Sequence, residues 1–400
     1  MNITGIITEY NPFHLGHKLH LESARKDTNS DAIICIMSGN FMQRGMPSII
    51  DKWNRAKIAI ANGVDLVIEL PLKCSISSAE GFASGAVSIL ESTGVVNNLY
   101  FGSEHGSITE LDILASTIID EPNEFKFIMK NELDKGLPFH TARKVALETF
   151  LPNVACSDIL SNSNNILAIE YIKALKKINS NILPYTLKRA GANYNDVEVK
   201  SKFPSATSIR ATLKNDGDLS SLKSTMPEES YKGISNLLSN NYPMIYPEDI
   251  FPFLKYKILT EGNKLSLLPE VREGLDNKII KEIVNSNSLD ELILKVKSKR
   301  YTYTRISRIL TAFFIGLENY PNYEELSNYN YIRPLAFNEK GSKLLKEIKK
   351  KNNVSIITKI PKKIDNPLLS LDLLGTKAYS VLNNAISPYE DYLKSPFFLK

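Results

Sequence analysis

"GIITEYNPFHLGHKLHL", residues 5–21, decides how this chain is read. Its apolar start, part of ITGIITE at 3–9, reads as a buried strand that meets Asn11-Pro12 and is turned out of the sheet there. Gly16 keeps the turn close to whatever lies above it, and helical spacing begins at or near His17. Three of the five histidines, His14, His17 and His20, fall in this one unit. A helix N-terminus offers unpaired N–H groups and a partial positive charge, a ready seat for phosphate. Two imidazoles three residues apart in such a turn can both face that phosphate and stabilise charge as it develops. His20, one turn further along, belongs by spacing either to the same site or to the helix surface, and the surface is the commoner outcome.

The same rhythm continues outward. DAIICIMSG (31–39), VDLVIELP (64–71) and NNLYFGSE (97–104) read as strands, with helical spacing at 17–27, 51–62 and 79–92. Few polar residues interrupt the strands, as expected where both faces of a parallel sheet are covered. The βαβαβαβ order predicts an α/β fold, a doubly wound parallel sheet with right-handed crossovers. Ligands bind such sheets at the carboxyl ends of the strands, which places YNPFHLGH, SGNFMQRG, LPLKCSISSAEGF and GSEHG at the functional edge. Further on, NNILAIEYIKALKKI (164–178) reads as an amphipathic helix and ILPYTLKR (182–189) as another strand. PSATSIRATLKN (204–215) reads as a helix start capped by Ser205 or Thr207. After NNYP the pattern turns mainly helical and rich in Tyr, Lys and Ser, which predicts a boundary near 243 and domains at 1–242 and 243–400.

Composition narrows the function classes. The chain has 400 residues, 43% hydrophobic and 23% charged, with no apolar run of membrane-spanning length and no signal-like N-terminus, so a cytoplasmic, soluble protein without a membrane partner is expected. Cys35, Cys74 and Cys156 are few, odd in number and far apart, which suits reduced buried thiols and excludes a Cys-type zinc module. Charge is uneven: residues 241–400 carry 25 Lys and Arg against 18 Asp and Glu, a surplus of +7, while residues 1–240 carry 24 against 26. A basic, tyrosine-rich C-terminal part suits a polyanion, although a solvated lysine surface gives the same count. A zinc reading of the histidines lacks a following Glu in the H-E-x-x-H arrangement and any histidine in the last 260 residues, so no metal ligand is assigned. There is no P-loop and no G-x-G-x-x-G.

At this point the residues resemble a family. EYNPFHLGH matches the H-x-G-H signature of the nucleotidyltransferase superfamily, and SATSIR (205–210) matches its second signature. A wider set is similar to the bacterial tRNA(Met) cytidine acetate ligases: MSGNFMQRGMPSIIDKWNRAKIAIANGVDLVIELP, YFGSEHG, NNILAIEYIKAL and KSKRYTYTRISRIL. The resemblance implies a Rossmann-like nucleotidyltransferase fold with a mainly α-helical, tRNA-binding C-terminal domain. It implies an enzyme that adenylates acetate with ATP and transfers the acetyl group to N4 of the wobble cytidine (C34) of elongator tRNA(Met); Mg2+ is expected with the ATP because triphosphates usually carry it. An adenylyltransferase acting on a small metabolite or mononucleotide without RNA is the alternative. The implied ATP-binding stretch is Ile7, Thr8, Glu9, Tyr10, Asn11, Pro12, Phe13, His14, Leu15, Gly16, His17, Lys18, Leu19 and His20. Gly102, one of Asn164 and Asn165, Arg189, Ser205, Thr207 and Ser208 would join it. His14, His17 and Arg210 would carry the chemistry. One departure stands out: the family commonly shows Tyr-His-Asp where this chain has Tyr194-Asn195-Asp196.

Other residues stay open on sequence alone. Gln43 and Arg44 are either ligand contacts or simple loop, Lys52, Trp53 and Arg55 either surface or site, and Glu104 and His105 either ribose orienters or solvated loop. Lys297, Lys299, Arg300, Tyr301, Tyr303, Arg305 and Arg308 alternate cations with aromatics, a pattern suited to single-stranded RNA, though the arginine spacing alone describes an exposed helix face.

Overall fold

The computed structural model describes the chain apart from residues 190–204, 217–218, 321, 327–328 and 352–353. The Tyr194-Asn195-Asp196 departure lies outside the described residues. The five expected strands form: β1 (Ile3–Thr8), β2 (Ala32–Ser38), β3 (Leu66–Leu70), β4 (Asn98–Ser103) and β5 (Leu183–Lys188). They pair in parallel in the spatial order β3-β2-β1-β4-β5. Helices α1 (Leu15–Asp27), α2 (Lys52–Ala61), α3 (Ala79–Ser92) and α4 (Ser163–Lys177) cover the sheet.

Every residue of β2 is buried, which explains its uninterrupted apolar run. Ile34 and Ile36 pack with Phe82, Val87, Leu90 and Ile172 on one face, and Ile33, Cys35 and Met37 with Leu21, Trp53 and Ala59 on the other. Cutting back one of these side chains, as in Ile34→Ala, costs about 2–5 kcal/mol. After β3 the chain crosses over to begin β4 on the far side of β1. The order therefore reverses there, and a crevice opens at the carboxyl ends of β1 and β4.

Residues beyond the expected boundary near 243 return to the sheet. A sixth strand, β6 (Pro334–Phe337), pairs antiparallel with β3, and β7 (Phe397–Phe398) pairs parallel with β6. The sheet is thus seven-stranded and mixed rather than purely parallel. The physical reason is that the outer edge of β3 presents backbone groups that need partners, and the returning chain supplies them. Two more helices bear on the crevice, α5 (Ala206–Asp216) and α6 (Tyr303–Ile315). The core around Leu254, Ile279, Leu292, Ile306, Leu310 and Phe313 also takes Phe41 and Leu72 from the N-terminal half. None of the described helices is long and apolar enough to cross a membrane.

Candidate active site

The backbone leaving β1 is pinned where Asn11 Oδ1 accepts the Ile49 N–H at 2.8 Å. His14 then ends the turn as the N-cap of α1, its Nδ1 accepting the Gly16 N–H at 3.0 Å. That cap starts the helix at Leu15, two residues earlier than the sequence pattern placed it. A Cβ at Gly16 would lie 2.9 Å from His14 Cε1, so glycine is needed here to clear the capping ring. His17 Nδ1 lies 3.4 Å from the His14 N–H, and the two imidazoles stack with centroids 3.8 Å apart. Tyr10 and Phe13 flank His17 at 5.0 and 5.7 Å.

These groups open into a cavity of about 720 Å³ at the sheet's switch point. Burial pushes the His14 imidazole from its ordinary 6.5 down to about 3, with the Arg189 and Arg210 charges acting in the same direction. Burial also carries His17 well below its ordinary value, helped by His14 and Arg189, and it takes His20 down to about 4, again with Arg189. The three rings are therefore neutral near pH 7. With Nδ1 accepting from Gly16, the His14 proton resides on Nε2 and is available to donate.

The second signature closes over the first. Ser205 Oγ accepts the Ser208 N–H at 3.1 Å and is the cap of α5, so Thr207 is not. Thr207 instead accepts from Arg210 at 3.2 Å, and Arg210 also donates to the Asn11 carbonyl at 2.7 Å. On the other side of the crevice Glu104 accepts the Asn164 side-chain amide at 2.6 Å and the Asn165 N–H at 2.9 Å. This carboxylate caps α4, satisfying donors its first turn leaves unpaired.

Residues 1–392 match the family described as HIGH Nucleotidyl Transferase. The chain is 50% identical to a tRNA(Met) cytidine acetate ligase of Clostridium novyi and 48% identical to one of Clostridium botulinum (strain Okra / Type B1), over its full length and 99–100% of theirs. It is 33% identical to Thermotoga maritima TmcAL over the whole of both chains, with a TM-score of 0.88 for the crystal structure bound with alpha-thio ATP and 0.91 for the apo form. The chain belongs to the tRNA(Met) cytidine acetate ligase family.

In this family member the cavity gathers most of the expected residues. Ile7, Thr8, Glu9, Tyr10, Asn11, His14, Gly16, His17, Leu19, His20, Gly102, Asn164, Arg189, Ser205 and Arg210 all line it. His20 thus faces the site instead of lying on the helix surface. Pro12, Phe13, Leu15, Lys18, Asn165, Thr207 and Ser208 do not line it. Phe13 is core, Lys18 Nζ donates to the Asn62 carbonyl at 2.9 Å, and Ser208 is fully buried, donating to the Ser205 carbonyl. Asn165 is 1% exposed, accepts the His105 N–H at 3.0 Å and donates to the Ile159 carbonyl at 3.1 Å.

Gln43 and Arg44 also line the cavity, on a hairpin of Phe41–Met42 and Met46–Pro47. Glu9 accepts the Gln43 N–H at 2.7 Å. Lys52, Trp53 and Arg55 are buried away from the cavity. Arg55 donates to the carbonyls of Glu9, Ser38, Gly39 and Ile50, tying the loops after β1 and β2 together. An apolar wall of Phe82, Phe101, Ile166, Leu167 and Tyr171 went unread in the sequence, because these positions look like ordinary core in a periodic pattern.

The basic-aromatic segment splits in two. Lys297, Lys299, Arg300 and Tyr303 are exposed, Arg300 pairing with Glu273 at 2.6 Å and Tyr303 donating to Asp290 at 2.8 Å. Tyr301 is only 7% exposed, its hydroxyl donating to the Arg272 carbonyl and its ring lying under Arg305. It cannot offer a face to a base. Arg308 is buried, 3.8 Å from the Glu270 carboxylate that Arg305, half-buried, also contacts at 3.0 Å through its Nε. The alternation that suggested RNA contact places Tyr301 and Arg308 against the helix core.

Proposed function

We propose that this chain adenylates acetate with ATP and transfers the acetyl group to N4 of the wobble cytidine of elongator tRNA(Met). The observation that carries the reading is the meeting of the two signatures in one cavity, where Arg210 donates to the carbonyl of Asn11 beside stacked, neutral His14 and His17.

The triphosphate would lie beside the N-terminus of α1, where the partial positive charge of the helix end, the His14 and His17 imidazoles and the Arg189 and Arg210 charges converge. An acetate oxygen attacks the α-phosphorus, forming acetyl adenylate, and pyrophosphate leaves with the electron pair of the broken P–O bond. Neutral imidazoles donate hydrogen bonds as charge builds on the phosphoryl oxygens, and Arg210 neutralises the departing pyrophosphate. Asn164 would contact the nucleotide, since it reaches the cavity and Asn165 does not. Among the described residues no group of three or more His, Cys, Asp or Glu side chains could hold a metal. Magnesium would arrive on the triphosphate, whose oxygens supply most of its ligands. In the second half-reaction the cytidine N4 bonds to the acetyl carbon, the bond from that carbon to the phosphate oxygen breaks, AMP leaves with its electrons, and the amine sheds a proton. Residues 243–400 would supply the tRNA contact through exposed Lys297, Lys299, Arg300 and Tyr303.

The test is exchange of labelled pyrophosphate into ATP. It is expected to require acetate and to fall at least about 100-fold in His17→Ala, the usual scale for losing one transition-state donor. Exchange driven by another carboxylate or a mononucleotide, and not by acetate, would sink the acetate reading and favour a small-molecule acceptor.

A further inference from the structure

One lining residue of the cavity stands apart. Among the described residues, every lining group suited to ATP comes from residues 7–210, whereas Thr304 comes from the first turn of α6, far along the chain. Thr304 immediately follows the exposed Tyr303 and lies a few residues beyond Lys297 and Lys299, which make no ion pair among the described residues. The start of α6 thus touches the nucleotide cavity and the cationic surface at once.

Its position is fixed by the Gln43-Arg44 hairpin. Ser307 and Thr311, one turn apart on α6, both donate to the Gly45 carbonyl, at 2.6 and 2.8 Å. Gly45 has φ +74°, and a Cβ there would lie 2.3 Å from the Arg308 nitrogen. Helix and hairpin are in backbone contact, so Arg44 and Thr304 form adjoining parts of one rim.

We infer that this rim, between the Arg44 hairpin and Thr304, is where the acceptor base of a single-stranded RNA segment reaches the activated acetyl group. The inference rests on the acetyl-transfer reading above and names a site within it. The chemistry requires such an opening, because the amine must meet the acetyl carbon while AMP is still held by the groups of residues 7–210. A phosphate chain lying along Lys297 and Lys299 would bring one base to Thr304, and burial of Tyr301 in the core leaves that path clear of its ring. Arg44 is engaged within the protein and serves here as a wall of the opening.

The experiment measures two rates on one protein: acetate-dependent pyrophosphate exchange without RNA, and acetyl transfer to tRNA. Thr304→Trp, which narrows the rim, is expected to lower the ratio of transfer to exchange at least tenfold, with Thr304→Ser restoring it. The Lys297→Glu and Lys299→Glu double variant is expected to raise KM for tRNA and make it less salt-dependent. A ratio equal to that of the wild type in Thr304→Trp overturns the inference and places acceptor access elsewhere. So does a parallel loss of both rates, which would make Thr304 part of the adenylation site. Loss of acetate-dependent exchange in the wild type itself would instead strike at the acetyl-transfer reading, so the two failures are told apart.

Discussion

His14 is useful as a neutral ring, and its neutrality has a cost that can be measured. Its pKa falls from 6.5 to about 3 because the ring is 6% exposed and faces two arginines. The unfolded chain binds a proton on this residue below pH 6.5 and the folded chain does not until near pH 3. Stability contributed by the neutral ring is therefore complete above the unfolded value and is lost as pH falls. Between pH 7 and pH 5 the loss is about 2 kcal/mol for His14 alone. Urea unfolding at the two pH values, in wild type and His14→Asn, checks this: the variant is expected to lose about 2 kcal/mol less on acidification. Equal losses in both proteins would mean that His14 keeps an ordinary pKa. The adjacent donors were legible in the sequence as an H-x-G-H spacing, but their neutrality was not, since it depends first on burial in the folded cavity and then on arginines as distant in sequence as Arg189.

Helix ends organise the site, and the two asparagines at the start of α4 separate binding from building. Asn164 meets the cavity and Glu104, while Asn165 bridges the loop after β4 to Ile159 with both ends of its amide. Asn164→Ala is expected to raise KM for ATP in the exchange assay while leaving the unfolding free energy within about 0.5 kcal/mol of wild type. Asn165→Ala strands two buried backbone groups and is expected to cost about 2–4 kcal/mol. Measured unfolding free energies that reverse this order would reverse the assignment. Sequence alone could not choose between adjacent asparagines, because both suit a helix start and only the turn angle decides which one points outward. Elements whose period matched their burial were legible: all five parallel strands and α1 to α4 fall within a few residues of their expected places. The four-residue β6 was not, since PLAF opens with proline and is too short for alternation to show.

At the scale of the whole molecule, that missed strand decides how the protein holds together. Charge and composition suggested a basic appendage after residue 243, yet the chain comes back to complete the sheet and brings charges into its interior. Lys52 lies 2.7 Å from Glu69 and 3.0 Å from Asp391, and Arg333 lies 3.1 Å from Glu69 and 2.8 Å from Asp391. All four side chains are at most 4% exposed, and two positive charges balance two negative ones. Burial would raise the Asp391 carboxyl, but Lys52 and Arg333 outweigh it and hold it well below the usual carboxylate range. Such a group adds little over an apolar core while intact, and breaking it leaves an uncompensated buried charge at a cost of about 3–5 kcal/mol. Asp391→Asn is expected to lose that amount in urea unfolding, although the residue is remote from the cavity and near the chain's end. A chain stopped at residue 242 loses β6, Arg333 and Asp391 together, leaving Lys52 facing Glu69 at an open sheet edge. It is expected to be insoluble or to lack a cooperative unfolding transition. A soluble, cooperatively folded 1–242 fragment would show instead that the returning strand decorates an independent domain, and the division suggested by composition would stand.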